Sequence, residues 1–288
     1  MLRLCYYTKT IVMKLAYKIL PIAAAAALTV GSCSDRSVYN DTTISMAELS
    51  QSSYYLLTDS LTSIESDREM IFLDSVSMVV PTLIGHNDIR PLQDSIFNAA
   101  FDTVGVDYRA VINSYFKKAA DESGYTATPT DKKVAFPRTD GCEIVKGYAV
   151  NLSSEWFVYC VSHESMVPKA AHGMKTKEYI NYRINEGRII TLSDIFTADG
   201  LTQLPKLIAE RADNNTSLYG PTEINALPAN GNFYVSADNE IIFSYQPYEV
   251  ASYAQGFIDV SFYPYELVAY MTPKAIAMFK LSDLTSAD

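Results

Sequence analysis

The sequence predicts an α+β fold: a largely antiparallel β-sheet with inserted helices, arranged as two tandem α/β subdomains. Three observations carry that expectation. Segments rich in β-branched and aromatic residues recur in pairs around short turns, a strand signal. Amphipathic runs with apolar residues at helical spacing lie between them. The 288 residues, 48% of them hydrophobic and 19% charged, hold enough apolar side chain for a substantial core. The chain carries no GxGxxG or phosphate-loop text and no sustained repeat. Strands in hairpins with helices inserted between them point to a largely antiparallel sheet.

The N-terminus comes first in order. Met13 is a better start than Met1, so residues 1–12 are expected to be an extension. Lys14 and Lys18 precede an apolar run from Ile19 to Val30, too short to span a bilayer comfortably. Val30, Gly31 and Ser32 then lead to Cys33. That order resembles the lipobox of bacterial lipoproteins, in which the cysteine is acylated and becomes the mature N-terminus. The resemblance implies lipidation at Cys33 and a membrane contact through that lipid anchor only. Localisation follows from it: the cell envelope, periplasmic or surface-exposed, with the outer membrane preferred. The expected organisation is a lipoprotein signal peptide over 1–33, a tether and first strand over 34–66, an α+β subdomain over 67–168 and a second over 169–288.

Ser34 to about Ser50 is polar and reads as the flexible tether. Tyr54 to Leu57 begins the first strand, and Met70 to Val80 forms a longer one that stops at Pro81. Asp88 is placed to cap a helical region reaching Ala120, with an interruption at Val104-Gly105-Val106. Ser123 to Arg138 reads as a loop. Ile144–Leu152 and Trp156–Val161 pair as a hairpin about Ser153-Ser154, which puts Cys142 and Cys160 on opposite faces and argues against a disulfide. Tyr179–Ile184 and Arg188–Thr191 form a second hairpin about Glu186-Gly187, and Leu201–Ala212 a helix. Phe233–Val235 turns at Asp238-Asn239 into Ile241–Tyr245, and Phe257–Phe262 follows Gly256. A final strand is expected over Ala277–Leu281.

The stretch from Ile241 to Tyr270 holds six of the 21 tyrosines. A tyrosine buries its ring and keeps its hydroxyl wet, which suits a binding face. Tyr245, Tyr248, Tyr253, Tyr263 and Tyr265 are the candidate binding residues, with Glu249 in the turn between the strands and His172 in a small-residue setting. Glu249, Asp259 and Glu266 are the acids from which a glycosidase pair would have to come. No HExxH, paired-cysteine or GxSxG motif is present, so no metal, cofactor or serine nucleophile is expected. The formal charge is −10. Removing residues 1–33 takes away Arg3, Lys9, Lys14 and Lys18 and no acid, which leaves 19 basic and 33 acidic residues, net −14. That balance argues against a nucleic-acid partner and suits a cationic one.

Three runs then carry a family likeness: Ala170-Ala171-His172-Gly173, Tyr179 to Ile184, and Gly187 to Phe196. With the Pro-Tyr-Glu turn at 247–249 and the second Pro-Tyr turn at 264–265, they resemble the extracytoplasmic domain of the RsiV family over residues 67–275. In that family the outer domain of an anti-sigma factor is a receptor for lysozyme. The same domains also stand beside peptidoglycan deacetylase domains and in bacterial lipoproteins. Here Ala170 replaces the family's first glycine, and no sigma-binding segment or transmembrane helix is evident. The resemblance implies a recognition module for a cell-envelope glycan or a basic protein such as lysozyme. The alternatives are an envelope polysaccharide hydrolase or deacetylase using Glu249 or His172, and a structural lipoprotein without a small ligand.

Overall fold

The computed structural model describes residues 10–13, 43–58, 70–104, 110–112, 115, 126–130, 139–213 and 231–285. Thr10–Met13, inside the expected signal region, is among them and pairs with residues 44–47, whereas Cys33 and the expected break at Gly105 lie outside them. The fold is α+β, dominated by a large, mostly antiparallel sheet. Its strands are β1 (Thr10–Met13), β2 (Ile44–Thr58), β3 (Met70–Ile84), β4 (Thr126–Pro129), β5 (Gly141–Leu152), β6 (Trp156–Met166), β7 (Met174–Arg183) and β8 (Arg188–Ile190). They run in the order β1-β2-β3-β5-β6-β7-β8, with β4 paired to β2. Among the described strands of this sheet only β3 and β5 run parallel; the other pairings are antiparallel. A boundary between residues 168 and 169 falls between the paired strands β6 and β7.

One face of this sheet is covered by α1 (Arg90–Phe101). Leu92, Ile96 and Ala100 recur at i, i+4 and i+8 and are buried with Phe97 against Val76, Met78, Val145, Tyr159 and Val161. Pro91 suits the first turn, where its missing N–H costs nothing. The opposite face, at the Trp156–Val158 end, is covered by α2 (Leu192–Ile195), α3 (Ala198–Asp213) and a second sheet of β9 (Phe233–Val235), β10 (Ile241–Tyr245) and β11 (Ile258–Phe262). Leu204 and Ile208 of α3 are fully buried in that core. Buried Arg183 ties it down. Its guanidinium lies over the Trp156 ring, pairs with Glu155 at 3.0 Å and donates to the Met278 carbonyl.

Four side-chain amides join the two sheets. Asn181 of β7 donates to the Phe233 carbonyl and accepts from Val235 N–H, as a neighbouring strand would. Asn151 donates to the carbonyls of Val235 and Ser236. Asn232 and Gln246 satisfy the outer edge of β7, where β8 is too short to reach. Gln246 accepts from Lys177 N–H at 2.9 Å and donates to its carbonyl at 2.7 Å, and Asn232 accepts from Tyr179 N–H. An exposed strand edge invites pairing with another chain, and here two amides occupy it.

Several expectations need correction. The tether ends earlier, because Ile44 and Met46 alternate into the core and start β2. β3 runs through Pro81 to Ile84, since a bulge opposite Ser45 and Met46 accommodates the proline's missing donor. The expected loop over 123–138 contains β4. The residue at the cap position of α1 is Ile89 rather than Asp88; one residue earlier, the Asp88 carboxylate accepts from the Arg90 backbone N–H at 3.2 Å and pairs with its guanidinium. The tail strand is instead the helix α4 (Pro273–Met278), started by Thr272, whose hydroxyl accepts from Ala275 N–H. A short helix, α5 (Ser282–Thr285), follows.

The cysteine argument changes more than its outcome. A bulge between Ala149 and Asn151 shifts the β5–β6 register by one residue, so Tyr148 stands opposite Cys160. Cys142 and Cys160 therefore share a face. Cys142 pairs with Met166, six residues along β6 from Cys160, or about 20 Å. Both cysteines are free and buried, separated by distance rather than by face.

Candidate functional site

The tyrosine-rich stretch divides into three environments. Tyr245 is core: it is 4% exposed on β10, and burial, with Glu249 adding to it, pushes its phenol well above the usual range. Tyr248 and Tyr253 come together with His172. Tyr263 and Tyr265 form a separate pair. β10 and β11 pair from Ile241 with Phe262 to Tyr245 with Ile258, so the two exposed groups sit at opposite ends of a hairpin about 14 Å long.

The first group is assembled from two loops. The loop between β6 and β7 turns at Val167–Ala170, with Lys169 at positive φ, and delivers His172 just ahead of β7. The loop between β10 and β11 delivers the tyrosines. Glu249 N–H donates to the Gln246 carbonyl at 3.0 Å, which closes a four-residue turn with Pro247 second and Tyr248 third. Tyr248 has φ +71°. Proline followed by a positive-φ residue is the pattern of a type II turn, whose third position is usually glycine. A tyrosine there accepts backbone strain of about 1 kcal/mol or more to hold its ring in place.

The rings pack closely. His172 stacks on Tyr253 with centroids 4.1 Å apart, and Tyr248 lies 5.5 Å from Tyr253. The Tyr248 hydroxyl is 3.0 Å from His172 Nε2, while His172 Nδ1 lies 2.9 Å from the Gly173 carbonyl. A carbonyl only accepts, so Nδ1 carries the proton and a neutral ring leaves Nε2 to accept from Tyr248. Tyr248 remains 49% exposed and His172 is exposed too. The result is a pre-formed aromatic surface with its polar atoms mutually satisfied.

Gln246 positions this surface, and nothing in the sequence marks it for that role. Its side chain grips Lys177 of β7 at both N–H and carbonyl, and its own N–H donates to Glu249 Oε2 at 2.6 Å. The turn carrying Tyr248 is thereby fixed to the strand that follows His172. Glu249 closes the turn. Asp259 accepts from the Tyr234 hydroxyl at 3.3 Å, and Glu266 pairs with Arg211 and accepts from Tyr263 N–H. The three acids weighed for glycoside chemistry thus serve three separate structural contacts. Tyr263 and Tyr265 stack almost parallel at 5.6 Å, both about half exposed, around the 3₁₀ turn Pro264–Tyr270.

Among the described residues, no cluster of three His, Cys, Asp or Glu side chains is arranged to hold a metal ion. None of their helices is long and apolar enough to cross a membrane.

Fold and site together describe an α+β domain that presents loop-borne aromatic residues from a small sheet docked on a large one. Residues 193–265 match a family described as a protein of unknown function, DUF3298. That segment contains both tyrosine groups; His172 lies before it. A solved structure of a DUF3298 family member from Bacteroides fragilis superposes with a TM-score of 0.60 at 16% identity, covering 83% of this chain and 98% of that one. A DUF3298 family protein from Pseudomonas aeruginosa superposes with a TM-score of 0.52 at 12% identity, covering 81% and 96%. At such identities the likeness supports the fold alone. No curated protein matches the chain.

Proposed function

We propose that this chain is a lipid-anchored, extracytoplasmic binding module whose recognition face is the His172–Tyr248–Tyr253 surface. It recognises a cell-envelope glycan or a lysozyme-like basic protein. The observation that carries this reading is Tyr248: an exposed aromatic ring held at a backbone position suited to glycine, hydrogen-bonded to a histidine from another loop. Strain kept in an exposed turn, and offset only by contacts within the surface it builds, is a mark of function. Pre-formed tyrosine surfaces anchor protein interfaces and stack on sugar rings. The likeness to the RsiV family outer domain and the lipobox-like run ending at Cys33 support the receptor and envelope parts of the reading.

The net charge of −14 on the chain after Cys33 favours the basic protein of the two ligands, because it steers a cationic partner and does little for a neutral glycan. Binding of lysozyme and of soluble peptidoglycan fragments to the immobilised domain tests the proposal. Lysozyme affinity should fall steeply with salt, and Tyr248→Ala should weaken binding about tenfold or more. Salt-independent capture of glycan alone, still lost in Tyr248→Ala, would assign the face to the glycan. Binding of either ligand that ignores Tyr248→Ala would sink the recognition face.

A further inference from the structure

The other face of the large sheet carries a cleft lined by none of His172, Tyr248 or Tyr253, although Val167 and Pro168 of the loop that delivers His172 stand at its edge. It encloses about 760 Å³ near the C-terminal end of α1 and the Cys142 and Met166 ends of β5 and β6. Phe72, Phe101, Val111 and Tyr115 line its walls, with Glu143 and His163 among them. The Tyr115 hydroxyl donates to Glu143 Oε1 at 3.2 Å, and Tyr115 meets Phe101 edge to face at 5.2 Å. His163 Nε2 donates to the Ala99 carbonyl at 2.9 Å.

Asp74 sits beside this group. It is Glu143's partner across the parallel pairing of β3 and β5, so the two side chains stand on one face with their strands about 4.8 Å apart. Asp74 is fully closed to solvent, and neither of its carboxylate oxygens has a hydrogen-bond partner. Buried carboxyls are normally paired or hydrogen-bonded, and one left without a partner costs stability. No described residue lining the cleft is a lysine or arginine. Burial lifts Asp74 to about 7, with the neighbouring Glu143 charge adding to it, and burial lifts Glu143 as well.

We propose that this cleft binds a small organic cation, an ammonium group on an apolar stem. The ammonium meets Glu143 at the cleft wall, and its positive charge favours loss of the proton from Asp74 beneath, which then supplies a second negative charge. Phe72, Phe101 and Tyr115 take the stem and offer ring faces to the positive charge. An organic cation fits better than a metal ion, since the described side chains form no ligand set of three. The apolar walls suit an alkyl stem, and the paired acids discriminate against a neutral or anionic head group.

Calorimetric titration of the full chain with hexylammonium, hexanol and hexanoate at constant ionic strength tests this. Hexylammonium should bind saturably, at least about tenfold tighter than hexanol, with hexanoate weakest. Glu143→Gln and Asp74→Asn should each weaken hexylammonium about tenfold, while Tyr248→Ala leaves it unchanged. Asn matches Asp in size and spares the fold the cost of ionising a buried acid, so the Asp74→Asn variant retains the fold, as circular dichroism will register. Equal binding of hexanol and hexylammonium, no saturation, or an unaffected Glu143→Gln would overturn the proposal. Because Tyr248→Ala leaves this arm untouched, its outcome is separate from that of the aromatic recognition face.

Discussion

The aromatic surface and the acidic cleft solve opposite problems. At the surface, His172, Tyr248 and Tyr253 satisfy one another, and the cost is carried by the backbone as a positive φ at Tyr248. In the cleft the backbone is ordinary parallel strand, and the cost is carried by side chains: a sealed carboxylate without a partner beside a second acid. The first arrangement is complete as it stands and offers a rigid face. The second sets two acids beside a cleft whose described lining holds no lysine or arginine. The lesson is that strain and unsatisfied polarity are separate signs of function, and they call for different experiments.

The largest effect should come from the cleft. In the folded chain Asp74 keeps its proton up to about pH 7, against an ordinary aspartate value of 3.8. Between those values the folded state holds a proton that the unfolded state has released, so stability falls as pH rises through that window. Asp74→Asn should therefore stabilise the chain at pH 8, by roughly 4 kcal/mol if the whole shift is realised. The gain should vanish near pH 4. Urea denaturation at the two pH values checks both statements. Equal stability of variant and parent at pH 8 would remove the contrast between the regions.

This difference also decides what could be read from the chain. The aromatic stretch was legible because its tyrosines are close in sequence: 245, 248, 253, 263 and 265 lie within 21 positions. Which of them meet was not legible. That depends on the β10–β11 hairpin, which sends Tyr248 and Tyr263 to opposite ends and turns Tyr245 inward. The α+β class and most strand pairs followed from period-2 patterns and turn residues. The bulge at Ala149–Asn151 did not, because a one-residue insertion leaves no mark in composition yet exchanges the faces on which the cysteines lie. The acidic cleft was invisible for the same kind of reason. Asp74 and Glu143 are 69 positions apart, and a parallel pairing between non-consecutive strands unites them.

The next effect tests whether the aromatic surface depends on the seam between the sheets. Gln246→Ala leaves Lys177 N–H without its partner, leaves the Lys177 carbonyl only Asn232 as donor, and frees the turn from β7. Binding to the aromatic face should weaken about fivefold to tenfold, because a looser turn must be ordered again on association. Exchange of the Lys177 amide with solvent should quicken in the same variant. A variant that binds as the parent does, with Lys177 still protected, would show that the turn holds itself. Hexylammonium affinity at the cleft should be unmoved, since Gln246 is on the other sheet.

The smallest effect isolates the backbone term. Tyr248→Ala and Tyr248→Gly both remove the ring and its bond to His172, so both should lose recognition to the same extent. In the folded chain they differ in how they tolerate φ +71°. Alanine keeps the clash of Cβ with the neighbouring carbonyl, whereas glycine has no Cβ. Glycine also gains conformational freedom in the unfolded chain, which offsets part of that relief. The net expectation is that Tyr248→Gly is more stable than Tyr248→Ala by about 0.5–1 kcal/mol, readable as a difference in urea midpoint. If the two variants unfold together, the turn is not strained, and Tyr248 loses the feature that separates it from Tyr263 and Tyr265. If glycine is the more stable and both fail to bind, the chain keeps a tyrosine where its backbone favours glycine, and the ring is the reason.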